Sequence, residues 1–339
     1  MNRAFRLLQP FGFDKVELDL PECGAEEILL QILYIGLCGT DLSSYRGKMP
    51  LVSYPRIPGH EIAATIIGKG STVPVGFQVG DTVTVNPFTS CGQCPACQKK
   101  RFNTCQYNET LGVQRDGALR QYFTVPWQKV IVNRDLKPEQ LVLTEPLSIG
   151  YHAVERAGIT AQDTVAVLGC GMIGIGVALA ALHKQATVIA FDREDSRLAL
   201  LNGFGVPYLI NGARQDLLKS VNEITGGRGA DVVIEAAGSP MTYQQSLDIV
   251  GYAGRVVTIG YAPEAIPLNT SLIVKKELNV LGSRNALHEF EPVQELIRSR
   301  GSTLDPLISG IYPLEEAGEA FRHWHQHPEK VIKLLVKLN

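Results

Sequence analysis

Three observations predict an α/β chain in which a doubly wound parallel sheet is inserted into a β-rich domain. The pattern of apolar residues changes near residue 150, from short runs broken by glycine and proline to strands alternating with helices. Just after that change a glycine-rich turn, LGCGMIGIG, joins an apolar strand to an apolar helix. The chain closes on VIKLLVKLN, a strand that needs a partner, and the β-rich part is its expected host. At 339 residues the chain exceeds one ordinary core. The expected division is residues 1–149 with 286–339 as one domain and 150–285 as the other.

The β-rich part is read from EEILLQILYIG, IAATIIG, DTVTVNP, QYFTVPW and KVIVN, with very little of helical period among them. TEPLSIGYHAVERAGI then has the apolar spacing of a helix. Beyond it, strands at TVAVL, ATVIAFD, PYLIN, ADVVIEAAG, GRVVTIG and LNVLG alternate with helical segments such as EDSRLALLNGFG, ARQDLLKSVNEITG and MTYQQSLDIV. That alternation implies parallel pairing with right-handed crossovers. In the tail, FEPVQELIRSRG and PLISGIYPLEEAGEAFRHWHQHPEK give two helices before the terminal strand.

Composition narrows the function classes. The formal charge is -2, from 32 Lys+Arg against 34 Asp+Glu, and the longest basic run is the KKR at 99–101, so no concentrated positive field for nucleic acid is expected. No apolar stretch reaches the length of a membrane span, and the first residues lack the apolar block of a signal peptide, which makes the cytoplasm the expected compartment. Of the seven cysteines, four crowd into CGQCPACQKKRFNTC as Cys91, Cys94, Cys97 and Cys105, a spacing that suits metal ligation by thiolates better than a disulfide framework. His323, His325 and His327 in HWHQH read as a solvated helix end, because residues two apart on a helix do not share a face.

The glycine turn is a dinucleotide site. Gly169, Gly171 and Gly174 have GxGxxG spacing; the turn is tight, the pyrophosphate must approach the backbone closely, and it rests on the helix N-terminus at Met172 and Ile173. The next strand ends in Asp192, placed to hold two ribose hydroxyls and to repel a 2′-phosphate, so NAD is expected over NADP. Arg193, its neighbour, is open to three readings: a lid on adenine, a surface charge, or a partial phosphate partner. Arg197, Ala237, Gly260, Ser283 and Arg284 complete the candidate cofactor contacts.

Three further segments carry potential ligands: GLCGTD with Cys38 and Thr40, PGHEIAATIIGKGSTV with His60 and Glu61, and VLTEPLSIG with Glu145. Together with the quartet and the glycine turn they resemble the zinc-dependent medium-chain dehydrogenases, the superfamily of alcohol, sorbitol and threonine dehydrogenases, over almost the whole chain. GHE followed by Gly70 and Val73 matches the zinc signature of that family, with Ala64 where a glycine is usual. The resemblance implies a GroES-like catalytic domain carrying a structural zinc lobe, and two zinc ions per chain. One ion is structural, on Cys91, Cys94, Cys97 and Cys105; the other is catalytic, on Cys38, His60 and a carboxylate, with Glu61 and Glu145 both open for that place.

By the same resemblance the zinc lowers the pKa of a substrate hydroxyl, hydride passes to the nicotinamide, and the Thr40 hydroxyl accepts the proton. Relatives carry histidine at the position of Ser43, so Tyr45 or water is expected to continue the relay. Glu145 in TEPLSIG follows the sorbitol and threonine pattern, and GSRNA resembles the sugar-acid, galactonate-type enzymes, with Arg284 and Asn285 as candidate substrate contacts beside Tyr45 and Glu145. A small hydroxyl substrate follows: a secondary alcohol of a polyol, sugar or sugar acid, oxidised to a ketone with NAD. An L-threonine-type amino-alcohol dehydrogenase is the alternative, and an NAD-binding sensor the non-enzymatic one. By analogy the chain forms a homodimer or homotetramer.

Overall fold

The computed structural model describes residues 1–262 and 264–338. In chain order the elements are β1 (Asn2–Gln9), β2 (Gly12–Leu18), β3 (Glu27–Leu37), α1 (Gly39–Tyr45), β4 (Glu61–Lys69), β5 (Thr82–Val85), α2 (Pro95–Gln98), β6 (Tyr122–Pro126), β7 (Val130–Val132), α3 (Pro138–Leu141) and α4 (Thr144–Ala157). They continue as β8 (Thr164–Leu168), α5 (Met172–His183), β9 (Thr187–Asp192), α6 (Asp195–Gly203), β10 (Tyr208–Asn211), α7 (Leu217–Thr225), β11 (Ala230–Glu235), α8 (Pro240–Ile249), β12 (Val250–Thr258), α9 (Thr270–Lys275) and β13 (Asn279–Gly282). The chain ends with α10 (Phe290–Arg300), β14 (Ile308–Pro313), α11 (Ala317–Gln326) and β15 (Lys333–Lys337). Two compact units result, Met1–Glu145 with Phe290–Asn339, and Pro146–Glu289.

The first unit is built on a seven-stranded sheet in the order β14-β15-β3-β4-β5-β7, with β6 also paired to β3, and a separate β1-β2 hairpin. β3 is its spine. Ile28, Leu30 and Ile32 alternate into the core with Ile62, Ala64 and Ile66 of β4, as a period of two requires. The terminal strand does find its host here: β15 runs antiparallel to β3, with Leu334 opposite Leu37, which brings Lys333 to the end of β3. That end of the sheet is where β3 delivers Leu37 and β4 begins at Glu61, with Gly36 opposite Glu61.

The second unit is a six-stranded parallel sheet in the order β10-β9-β8-β11-β12-β13. Its central strands β8, β9 and β11 carry buried apolar runs, at 165–168, 188–191 and 232–234, as strands covered on both faces do. The order reverses between β8 and β11, the switch point at which open α/β sheets bind ligands beyond their carboxyl ends. The expected doubly wound sheet and the separate β-rich part are thus both present.

Among the elements that escape the sequence reading are short helices, the β1-β2 hairpin and β14. α1 and α9, of seven and six residues, are too short to display a helical period. β1 and β2 lie in a stretch where the sequence shows no strand pattern, and β14 lies in a segment expected to be helical. Its residues alternate between half-buried and exposed, the pattern of an edge strand beside β15.

Candidate active site

Cys38 follows directly on β3 and caps α1. Its sulfur accepts the backbone N–H of Thr40 at 3.5 Å, while Asp41 Oδ2 reaches back to accept the Cys38 N–H at 2.9 Å, a reciprocal capping box. His60 and Glu61 arrive from the start of β4, after a turn at Gly59 with φ +102°. Gly36 is what lets the two strands place Glu61 there, since a Cβ at Gly36 would lie 2.1 Å from Glu61 Oε2. The Cys38 sulfur, a His60 nitrogen and a Glu61 oxygen all lie within 4.8 Å of one another.

The cluster sits in a buried, charge-dense setting. Glu61 is 0% exposed and Lys333 2%. Lys333 Nζ donates to Glu61 Oε1 at 2.5 Å and to the Leu37 carbonyl at 2.9 Å. Burial pulls the Lys333 ammonium down, but Glu61, Cys38 and Glu145 outweigh it and hold the pKa above its ordinary value. His60 is likewise raised, against burial, by Asp41, Cys38 and Glu145. In the first turn of α4, Glu145 is pushed up to about 7 by burial and by Glu61 and Asp41, against His60 and Lys333.

Three buried atoms here make no hydrogen bond among the described residues: Glu61 Oε2, His60 Nδ1 and Asp41 Oδ1, the last two 3.9 Å apart. Buried polar atoms without partners are rare and each calls for an ion, a water or a ligand. A thiolate, an imidazole and a carboxylate converging in this way form the mixed donor set of a zinc site with an open position, so the residues fit such an ion. Asp41 and Lys333 were not anticipated from the sequence. Asp41 was within reach of it through the cap spacing Cys38-x-x-Asp41, whereas Lys333, one of the two lysines that end KLLVK, carries no such signal.

The second cluster is the cysteine quartet, whose sulfurs also lie within 4.8 Å of one another. Sulfur separations of 4.0 Å for Cys91–Cys97 and 3.9 Å for Cys94–Cys105 are far beyond a disulfide bond and close to the edge of a tetrahedron drawn about one zinc ion, ~3.8 Å. Backbone N–H groups of Gln93 and Cys94 point at the Cys91 sulfur, and those of Cys91 and Tyr107 at the Cys105 sulfur. Amides of Cys97 and Gln106 pull the Cys94 thiol down to about 6, while burial pushes the Cys97 thiol up to about 12.

In the second unit, Gly169 (φ +92°) ends β8 and Gly171 caps α5, with open space where its side chain would be. Gly174 packs against that turn so closely that a Cβ would stand 1.8 Å from the Gly169 carbonyl oxygen. Met172 and Ile173 form the first turn of α5. Asp192 ends β9; its Oδ2 accepts the Cys170 N–H at 2.7 Å and its Oδ1 those of Arg193 and Glu194, with Arg197 Nη1 3.5 Å from Oδ2. The exposed Arg193 contributes its amide to this arrangement. Ala237 lies against Gly169, and Gly260 against Gly238 and Glu235. The Ser283 amide donates to the Thr258 carbonyl, Arg284 is exposed, and Asn285 has φ +53°.

Tyr45 is corrected. Its ring is 4% exposed and packs on Phe13, Phe321, Phe11 and His325, so it belongs to an aromatic core cluster and is not available for a proton relay or a substrate contact. His325 packs on Phe11 and Tyr45 and accepts from Arg46 Nε at 2.9 Å, a structural use for part of HWHQH.

A GroES-like β unit with a thiolate-imidazole-carboxylate cluster, and a doubly wound unit with a dinucleotide turn, define a zinc-type dehydrogenase. Residues 24–135 match the family described as the alcohol dehydrogenase GroES-like domain, and residues 172–299 match the zinc-binding dehydrogenase family. A 2-dehydro-3-deoxy-L-galactonate 5-dehydrogenase of Pseudoalteromonas atlantica is 36% identical over 343 residues, covering 100% of this chain and 97% of its own. An L-threonine 3-dehydrogenase of Pyrococcus furiosus is 35% identical over 324 residues, 92% of each chain. The solved galactitol-1-phosphate dehydrogenase of Escherichia coli superposes with a TM-score of 0.92 at 26% identity, covering 99% of this chain and 100% of its own. The chain belongs to the zinc-dependent medium-chain dehydrogenase superfamily, as an NAD(P)-dependent alcohol dehydrogenase of the general polyol and sugar type.

Proposed function

We propose that the enzyme oxidises a secondary hydroxyl of a polyol, sugar or sugar acid to a ketone with NAD, with a catalytic zinc at Cys38, His60 and Glu61 and a structural zinc on the cysteine quartet. The observation that carries this is the convergence of three donor groups within 4.8 Å beside buried atoms that lack hydrogen bonds. Lys333 holds Glu61 by Oε1, which leaves Oε2 for the ion, while Glu145 stands as the outer carboxylate. The residues 1–149 and 286–339 serve as the catalytic domain and 150–285 as the NAD-binding domain.

When bound, zinc would supply Lewis acidity and NAD a hydride acceptor. The chain does the remaining work. Thr40, half-buried in the first turn of α1 and tied through its amide to Cys38, takes the hydroxyl proton. Asp41 sets a negative charge 3.9 Å from His60 Nδ1, and Lys333 fixes the Glu61 carboxylate. Asp192 receives the ribose and, with its negative charge, favours NAD over NADP. Arg284 and Asn285 take the carboxylate and hydroxyls of the substrate or the cofactor phosphate.

The likeness to an L-threonine 3-dehydrogenase supports a second reading, an amino-alcohol substrate. NAD reduction with L-galactonate and other sugar acids, with alditols including sorbitol, and with L-threonine separates the two. Turnover is expected with an acid or alditol; turnover with L-threonine alone would select the second reading. Silence across the panel with metal bound would overturn both.

A further inference from the structure

The Arg284–Asn285 segment is gripped at both ends by one face of one helix. At its start, Arg156 Nε of α4 donates to the Gly282 carbonyl at 3.4 Å, and the Ser283 amide is bonded to Thr258. At its end, His152 Nδ1, one helical turn before Arg156, is paired with Glu289 Oε1 at 2.8 Å, both side chains being buried. The other Glu289 oxygen accepts the backbone N–H groups of Leu287 (2.5 Å) and His288 (2.9 Å), so this carboxylate closes the loop on itself while docking it on α4.

Between the two anchors Arg284 is exposed and Asn285 adopts φ +53°, a left-handed conformation that a side-chain-bearing residue keeps only where its surroundings determine it. Ala286 is buried beside it. A buried hydrogen bond to a carboxylate is stronger than one between neutral groups, and losing its partner leaves the carboxylate uncompensated.

We propose that His152 and Glu289 are positioning residues that set Ser283–Asn285 for substrate or cofactor binding. They touch neither ligand and act through the loop. The proposal rests on the reading of Arg284 and Asn285 as ligand contacts.

The test uses the full-length enzyme, sorbitol and L-galactonate as substrates, NAD as cofactor, and hydrogen exchange of the loop amides. His152→Ala is expected to speed exchange at Leu287 and His288 while leaving β8 and β9 unchanged. It should also raise the KM of the faster of the two substrates, or of NAD, about tenfold with kcat nearly unchanged. His152→Asn, which keeps a nitrogen near the Nδ1 position, should restore most of that loss. Adding Arg284→Ala to His152→Ala should cost little beyond Arg284→Ala alone, since both act through one contact.

Unchanged loop exchange in His152→Ala would overturn the clip itself. A lowered Tm with unchanged KM values, the signature of a structural role only, or fully additive losses in the double variant would overturn the positioning role. If the exchange rises but Arg284→Ala is kinetically silent, the clip stands as geometry while the contact reading, and with it the positioning role, is overturned.

Discussion

The two sulfur-containing clusters of this chain are built on opposite plans. Cys91, Cys94, Cys97 and Cys105 come from one fifteen-residue stretch, share one donor type and take their polarisation from backbone amides nearby. Cys38, His60 and Glu61 come from separate strand ends, mix three donor types, and are surrounded by Asp41, Glu145 and the buried Lys333. Four thiolates make a closed shell, which can hold a loop but offers no place to a substrate. The mixed cluster keeps atoms without hydrogen bonds in a buried setting, the arrangement that chemistry requires. Under the proposed assignment, local density of ligands goes with the staple, and scattered ligands gathered by a sheet go with the reaction.

The comparison breaks first, and most strongly, at Cys38. Cys38→Ser should lower NAD reduction by at least about a thousandfold while leaving the NAD Kd, read by fluorescence titration, within twofold of wild type. Retained activity would make the mixed cluster structural as well. The staple should answer differently: Cys94→Ser is expected to lower the melting temperature on the order of 10 °C, because the binding energy of a structural zinc is folding energy, yet keep kcat per folded molecule. A parallel loss of kcat at temperatures where the variant is fully folded would erase the distinction.

A third consequence concerns pH. In metal-stripped enzyme Glu145, raised to about 7, binds a proton in the folded state where the unfolded chain has already released it. Its contribution is present below the unfolded value of 4.5 and is lost as pH rises through about 7, some 3 kcal/mol in all. His60, raised above 6.5, loses its contribution in the same direction. Urea melts of chelated protein should thus show lower stability at pH 8 than at pH 5, and zinc should remove the difference; stability rising with pH would contradict the arrangement of charges. The smallest effect lies in the second unit: Asp192→Asn should raise the NAD KM roughly tenfold and narrow the preference over NADP, and an unchanged ratio would take the ribose from Asp192.

How far the sequence reaches follows the same contrast. The quartet and GxGxxG are contiguous, so their spacing alone carries their chemistry. β3, β4, β8 and β9 were readable because eleven, nine, five and six residues suffice to show an apolar pattern. α1 was not, since it is held by the Cys38–Asp41 cap and not by an apolar stripe. Nothing near residue 333 announces that β15 will lie beside β3 and carry a lysine to Glu61, 272 positions away. Tyr45 misled for the converse reason. A tyrosine five residues from Thr40 looks available in one dimension, and only the packing of Phe13 and Phe321 shows that its ring is spent in the core.

The most direct measurement is the zinc content of wild type, Cys38→Ser and Cys94→Ser, counted per folded chain alongside NAD reduction. Two zinc ions are expected in wild type and one in each variant, with turnover lost in Cys38→Ser and kept in Cys94→Ser. Two ions and full turnover in Cys38→Ser would contradict the assignment of the reaction to the mixed cluster.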